Sequence, residues 1–189
     1  MKPENNPWQT NATRAIYDND WISVREDAVT RPDGEPGIYG VVSMKNRAIG
    51  VVPLHADGTV TLVGQYRYTM KAYSWEIPEG GCPDTELPVH AARRELREET
   101  GLIAALMQPL GGEIHLSNSV CDERGYLFLA TRLEQGAARP DGTEELQIKR
   151  VPLEEAVEMA MRGEITDGLS VLGLLMVARK RLQDAGADQ

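Results

Sequence analysis

Nine positions between residues 80 and 102 restrict this chain more than any other stretch: Gly80, Glu86, Arg94, Glu95, Leu96, Glu98, Glu99, Gly101 and Leu102. Their second half carries the punctuation of a helix. Pro88 suits a first helical turn, where its missing N–H is no loss, and Gly101 suits the left-handed position just past a helix end. The spacing therefore predicts a helix over 88–100. At about 100° per residue, Val89, Ala92 and Leu96 share a narrow apolar stripe, and Glu95, Glu98 and Glu99 fall on an adjoining arc.

That acidic arc opposes helix stability. Glu95 and Glu99, one turn apart, repel by roughly 0.2–0.5 kcal/mol. Carboxylates in the last turn also face the negative pole of the helix dipole, at about 0.3–1 kcal/mol each, where Lys or Arg would be favourable. A divalent cation resolves the conflict, because hard oxygen ligands on one helix face, with room for water and phosphate, suit Mg²⁺ or Mn²⁺. The competing reading is a solvated acidic face, against which stand the fixed positions of Gly80, Glu86 and Arg94. Arg94 lies one turn before Glu98 and is placed to hold it, and Gly80 and Gly81 allow a loop to approach the metal closely.

The 189 residues, 41% apolar, suffice for one domain, or for one domain with an N-terminal extension. No apolar run approaches the roughly 20 residues of a membrane helix, and the first ten residues lack the pattern of a secretory signal, so the expected location is cytoplasmic. Cys82 and Cys121 match no metal or redox spacing and are expected as free thiols. A formal net charge of −9 argues against nucleic acid as the main partner, since that binding needs a basic surface. It leaves room for a small phosphorylated substrate bridged to the acidic helix by metal.

Upstream of the box, strands are expected over 16–17, 21–30, 38–44, 48–54 and 60–66, with turns at Asp33-Gly34 and Asp57-Gly58, the second closing a hairpin. Downstream, strands are expected over 103–107, 113–116, 125–131 and 146–151, with a turn at Asp141-Gly142. Two helices follow, one over 152–162 stopped by Gly163 and one capped by Asp167 and running to about Gln183. In the last, Leu169, Leu172, Leu175 and Met176 form the expected apolar side, with Arg179, Lys180 and Arg181 near its C-terminal end. A mixed sheet between helices, an α/β class, fits this order.

The box, read as G-x5-E-x7-R-E-L-x-E-E-x-G-L, resembles the signature of Nudix hydrolases at every defined position. Val63-Gly64-Gln65-Tyr66-Arg67, the run from Trp75 to Gly80, and the downstream runs beginning at Val151 and Gly163 resemble the subgroup acting on ADP-ribose and nucleoside diphosphate sugars. The resemblance implies a Nudix fold, an α/β/α sandwich with a mixed β-sheet, over 46–189. It also implies an N-terminal β extension over 1–45 that forms a homodimer.

The same resemblance implies a metal set of Glu95, Glu98 and Glu99 with the backbone carbonyl of Glu79, and Mg²⁺ or Mn²⁺ as cofactor. Arg94 supports the catalytic carboxylates, and Glu98 doubles as catalytic group or ligand. Arg67 and Glu76 fall where the family meets its substrate or dimer mate; the plain alternative is an exposed ion pair. Trp21 and Tyr73, with Trp8 and Tyr17, are candidates to wall a base pocket, burial being the competing reading for each. Glu144 and Glu145 are the candidate general bases on a loop beyond the box, with Asp122 and Glu123 as alternatives. His115 is a further possible substrate contact.

The activity implied is metal-dependent hydrolysis of the diphosphate of ADP-ribose or a related nucleoside diphosphate sugar to a nucleoside monophosphate and a sugar phosphate. Ser117-Asn118-Ser119 lacks the proline common at this turn in ADP-ribose pyrophosphatases, so the base and sugar stay open. Alternatives are a Nudix hydrolase for GDP-mannose, NADH or capped RNA, and a non-catalytic nucleotide-sugar sensor. The intact set Glu95, Glu98 and Glu99 weighs against the sensor.

Overall fold

A computed structural model describes residues 5–137 and 146–187. The chain divides into two compact units, one comprising residues 1–46 with 115–124 and the other residues 47–114 with 125–189.

The first unit is an antiparallel meander of β1 (Gln9–Asp18), β2 (Ile22–Thr30) and β3 (Pro36–Met44). Asn19 makes the first turn, its Oδ1 accepting the N–H groups of Trp21 and Ile22 at 2.9 and 2.7 Å. Gly34, at φ 88°, makes the second, as the Asp33-Gly34 pair predicts. The expected strand at 16–17 is in fact ten residues long and exposed throughout. It buries neither face, so its largely polar sequence has no apolar alternation to read. Residues 115–124 return to this sheet, where Cys121 bridges Val42 and the Tyr39 hydroxyl donates to the Ser119 carbonyl at 2.8 Å.

The second unit is built on β4 (Arg47–Pro53), the centre of a mixed sheet. It pairs antiparallel with β7 (Glu79–Cys82) and parallel with β9 (Arg124–Gln135), and β8 (Leu102–His115) forms the far edge. Both faces of β4 are covered. Ile49 and Val51, with Phe128 and Ala130 of β9, join a core under α1 (Pro88–Thr100); Val52, with Leu127 and Leu129, joins a core under α2 (Leu153–Met161) and α3 (Gly168–Ala187). Alternate residues thus serve opposite layers, which explains the near-continuous apolar run. A second, antiparallel sheet has the order β10 (Gln147–Pro152), β5 (Thr59–Arg67), β6 (Ala72–Glu76).

Gly58, at φ 83°, does turn the chain between β4 and β5, but only one bridge, Leu54 to Val60, closes beneath it. Beyond it the strands leave for different sheets, so the expected hairpin is a corner. The two strands expected over 103–107 and 113–116 are one, continuous through Pro109, because β8 is an edge strand that has no need of that N–H. Gly80 and Gly81, expected in a loop, lie in β7, paired with Ile49 and Ala48. The Asp141-Gly142 turn lies outside the described residues.

The helix over 88–100 forms as spaced, with Gly101 at φ 74° donating its N–H to the Arg97 carbonyl at 2.9 Å. Asp167 caps α3 through Ser170 N–H, 2.8 Å from its Oδ2. The expected apolar side of α3 holds at Leu169, Leu172 and Met176, which pack on the core, and fails at Leu175. Leu174 and Val177 are buried in its place, because a helix rich in Leu leaves the edge of its inward face ambiguous until a sheet selects it. The helix also runs on to Ala187, so Arg179, Lys180 and Arg181 precede its last turn.

Candidate active site

The site assembles where β7 meets α1. Glu79 opens β7 opposite Gly50, and its N–H donates to Glu99 Oε2 at 3.1 Å. Glu99 is buried, 3% exposed, one helical turn beyond Glu95. The Glu95 carboxyl presses on Gly80 so closely that a Cβ there would stand 2.0 Å from Cδ. Only glycine lets the strand and this carboxylate share the space.

Arg94 ties the arc together. Its Nη1 donates to Glu95 Oε1 at 2.6 Å and Glu98 Oε2 at 3.1 Å, and its Nη2 to Glu86 Oε2 at 2.9 Å and the Gly81 carbonyl at 2.8 Å. One guanidinium therefore spans three carboxylates and the strand, a use of its fixed fork that Lys could not reproduce. Hydrogen bonding from Arg94 also holds the Glu86 carboxyl below the usual carboxylate range.

Behind β7 lies a support the sequence did not reveal. Ser170, fully buried on α3, accepts the Ile77 N–H at 3.0 Å and donates to Glu79 Oε1 at 2.8 Å. Burial, and then the neighbouring Asp167 carboxylate, push the Glu79 carboxyl well above its ordinary range. The side chain of Glu79 thus faces α3 while its backbone faces α1. A serine in an apolar helix gives no signal by itself; its only clue was the position three residues after Asp167.

Arg67 and Glu76 form an ion pair across β5 and β6, with Arg67 Nε 3.0 and 3.1 Å from the two Glu76 oxygens and a closer contact from Nη2. The plain alternative of an exposed pair holds for one partner only: Glu76 is 2% exposed, whereas the Arg67 side chain is 39% exposed. The carboxylates of Glu79 and Asp167 also act on Arg67, so this guanidinium is electrostatically part of the site. Tyr73 lies apart from this pair. The alternation along β6 puts Tyr73 and Trp75 on the opposite face from Glu76, their rings edge-on at 5.7 Å, with Lys149 over Trp75.

Trp21 belongs to the first unit and is 69% exposed. Trp8 packs edge-on against Tyr39, and Tyr17 is exposed. Neither Trp21 nor Tyr73 is buried in a core. Asp122 accepts the Met44 N–H at 3.0 Å within the first unit, and His115 ends β8. Glu144 and Glu145 lie outside the described residues.

The donor chemistry fits a hard divalent cation: Glu95, Glu98 and Glu99 offer carboxylate oxygens from one helix face, beside a strand kept bare by Gly80. Among the described residues, no three Asp, Glu, His or Cys side chains converge closely enough to hold a metal ion as they stand. Arg94 and the Glu79 N–H hold their oxygens instead.

Residues 44–168 match the model of the NUDIX domain. The chain belongs to the Nudix family. Residues 8–42 match the nucleoside diphosphate sugar hydrolase N-terminal domain. Among the relatives of this Nudix hydrolase is an ADP-ribose pyrophosphatase of Mycobacterium tuberculosis, 30% identical over 174 residues that cover 90% of this chain and 83% of the relative. An ADP-ribose pyrophosphatase of Bacillus subtilis is 26% identical, covering 94% of this chain and 96% of its own. A CMP-5'-(N-acetyl-N-hydroxy-3-aminopropyl)phosphonate hydrolase of Streptomyces rubellomurinus is 27% identical, covering 90% and 82%. The crystal structure of an ADP compounds hydrolase superimposes with a TM-score of 0.85 at 20% identity over 98% of this chain and 99% of the other, a likeness of fold. The mixed α/β architecture is the Nudix fold.

Proposed function

We propose that this Nudix hydrolase cleaves the diphosphate of ADP-ribose or a related nucleoside diphosphate sugar, releasing a nucleoside monophosphate and a sugar phosphate. The observation that carries the reading is the arc of Glu95, Glu98 and Glu99 fixed by one guanidinium and one backbone N–H against a glycine strand. Two relatives named ADP-ribose pyrophosphatase, aligned over most of both chains, support the substrate class.

Glu95, Glu98, Glu99 and the Glu79 carbonyl would hold Mg²⁺ or Mn²⁺, which when bound neutralises phosphate oxygens and acidifies water. Arg94 keeps Glu95 and Glu98 parallel to the task before any ligand arrives, so little reorganisation is left for the reaction. Arg67, set by Glu76, offers positive charge to the substrate anion. Glu144 or Glu145 takes the proton from the attacking water.

The N-terminal extension over residues 1–45 forms the contact of a homodimer in this reading. Support comes from β1, whose ten residues are exposed in an antiparallel sheet, and from the exposed Ile16, Tyr17, Trp21 and Ile38. Trp21 and Tyr73 are proposed to meet the base. The two free thiols, Cys82 and Cys121, support a reducing, cytoplasmic setting. Among the described residues no helix is long and apolar enough to cross a membrane.

The test is product release from ADP-ribose, ADP-glucose, GDP-mannose, UDP-glucose, NADH and nucleoside triphosphates, with Mg²⁺ and with chelator. Chelator-sensitive cleavage of a diphosphate sugar is expected. Saturable binding without turnover would replace the hydrolase by a sensor.

A further inference from the structure

We infer that Arg47, outside the signature and on a different strand, is a positioning residue for the acidic arc: it fixes the turn that carries Glu86, and Glu86 in turn orients Arg94. The inference rests on the hydrolase reading above for its consequence in catalysis, and on geometry for its existence.

Within the turn between β7 and α1 the anchors are local, the Cys82 thiol donating weakly to the Pro83 and Glu86 carbonyls at 3.6 and 3.4 Å. α1 begins after Leu87 with no side-chain cap, and Glu86 N–H reaches back only to the Pro83 carbonyl, at 3.0 Å. Arg47, paired with Cys82 at the start of β4, adds a charged anchor from a different strand. Its Nη2 donates to the carbonyls of Pro83 and Glu86, both at 2.8 Å, and lies 3.3 Å from the Cys82 sulfur. The side chain is only 17% exposed, and its Nε is 3.6 Å from the Asp84 carboxylate. A mostly buried guanidinium directed at main-chain carbonyls at both ends of one turn holds that turn's shape.

The consequence runs through three contacts. The turn places Glu86, whose carboxylate meets Arg94 Nη2 at 2.9 Å. The other arm of Arg94 meets Glu95 and Glu98. Glu86 thus fixes one end of a guanidinium whose other end sets two of the oxygens proposed to take metal. Arg47 touches none of the reacting groups.

The test compares wild type with Arg47→Lys and Arg47→Met by Mn²⁺ binding, followed as loss of the free-ion EPR signal, together with kcat, KM and thermal midpoint. Both variants should bind Mn²⁺ about 10-fold more weakly or worse, the range typical when support of a ligand is lost. They should lose kcat more than they raise KM, at temperatures where circular dichroism shows the fold intact. Glu86→Gln should add less to Arg47→Lys than it costs alone, since both act on one path. Wild-type Mn²⁺ affinity and kcat, with only a lower thermal midpoint, would reduce Arg47 to a packing role and overturn the inference. If Arg47→Met does not fold, Arg47→Lys, which keeps the charge and most of the stem, decides by the same criteria. Failure of the hydrolase reading is separate: wild type and Glu99→Gln would then bind Mn²⁺ alike.

Discussion

Gly80 and Glu95 occupy one another's space: a Cβ on Gly80 would lie 2.0 Å from the Glu95 carboxyl carbon and 2.2 Å from its nearer oxygen. The glycine is thus required by its neighbour on α1, rather than by its own backbone angles. Gly80→Ala should leave the cores intact, since β7 stays paired to β4, yet it must move Glu95. A displacement of about 1 Å at a reacting group can cost on the order of 100-fold. Steady-state turnover alongside circular dichroism checks this; wild-type kcat in Gly80→Ala would remove Glu95 from the ligand set.

Glu99 is the complementary case. Its carboxylate is buried and its Oε2 already accepts the Glu79 N–H, so Glu99→Gln can keep that bond through its amide oxygen and preserve the fold. What it loses is charge. Metal-dependent turnover should fall by more than the roughly 10–100-fold typical of a supporting residue. Glu144→Gln and Glu145→Gln, assayed in parallel, separate the candidate bases. If neither slows turnover, attention moves to Asp122 and Glu123, of which Asp122 already has a structural duty to Met44.

How much of this was legible in the chain follows from where each signal lived. The Nudix helix was read to its last residue because Pro88, Gly101 and the acidic arc are local. The central strand was legible because both its faces are buried. Only two residues of β1 carry a strand signal, because an exposed strand has no periodicity, and β6 and β7 give none because they are short and β7 is half glycine. For Arg67 and Glu76 the sequence offers an ion pair only as the plain alternative to substrate contact, and the burial of Glu76 depends on the hairpin's fold. Ser170 and Arg47 escaped because each acts on backbone groups distant in sequence, and no local pattern encodes that.

Ser170→Ala tests the hidden support. The substitution removes the acceptor of the Ile77 N–H and the donor to Glu79 at once. A buried N–H left unpaired costs about 1–3 kcal/mol, so the thermal midpoint should drop by several degrees. Glu79 would also lose its tether beside the acidic arc, and Mn²⁺ affinity should weaken with stability. An unchanged midpoint would mean that water replaces the hydroxyl.

For the Arg67–Glu76 pair, removing the cation should be worse than removing both charges. Arg67→Met alone leaves the Glu76 carboxylate buried and uncompensated, whereas Arg67→Met with Glu76→Gln does not. Because Arg67 is 39% exposed, solvent screens part of the penalty, and a coupling on the order of 1–2 kcal/mol is expected. A double-mutant cycle in urea measures it. Turnover separates stability from binding: if Arg67 also meets substrate, the double variant regains stability while KM stays raised.

His55 gives the fold a pH dependence independent of the active site. Its ring is 2.8 Å from the Thr61 hydroxyl, and burial lowers its pKa, aided by the Arg150 guanidinium and opposed by the Asp57 carboxylate. A histidine whose folded pKa is depressed binds its proton more readily when unfolded. The neutral form therefore contributes stability that is complete above the unfolded value of about 6.5 and lost as pH falls through the folded value. Asp57, held low first by its bond from the Thr59 hydroxyl and then by Arg150, acts in the same direction but in a more acidic window, below about 4. Urea midpoints from pH 8 to 5 should fall in the wild type and stay flatter in His55→Gln, which keeps a polar group near Thr61 but cannot titrate. Parallel curves for the two proteins would assign the acid sensitivity to other groups.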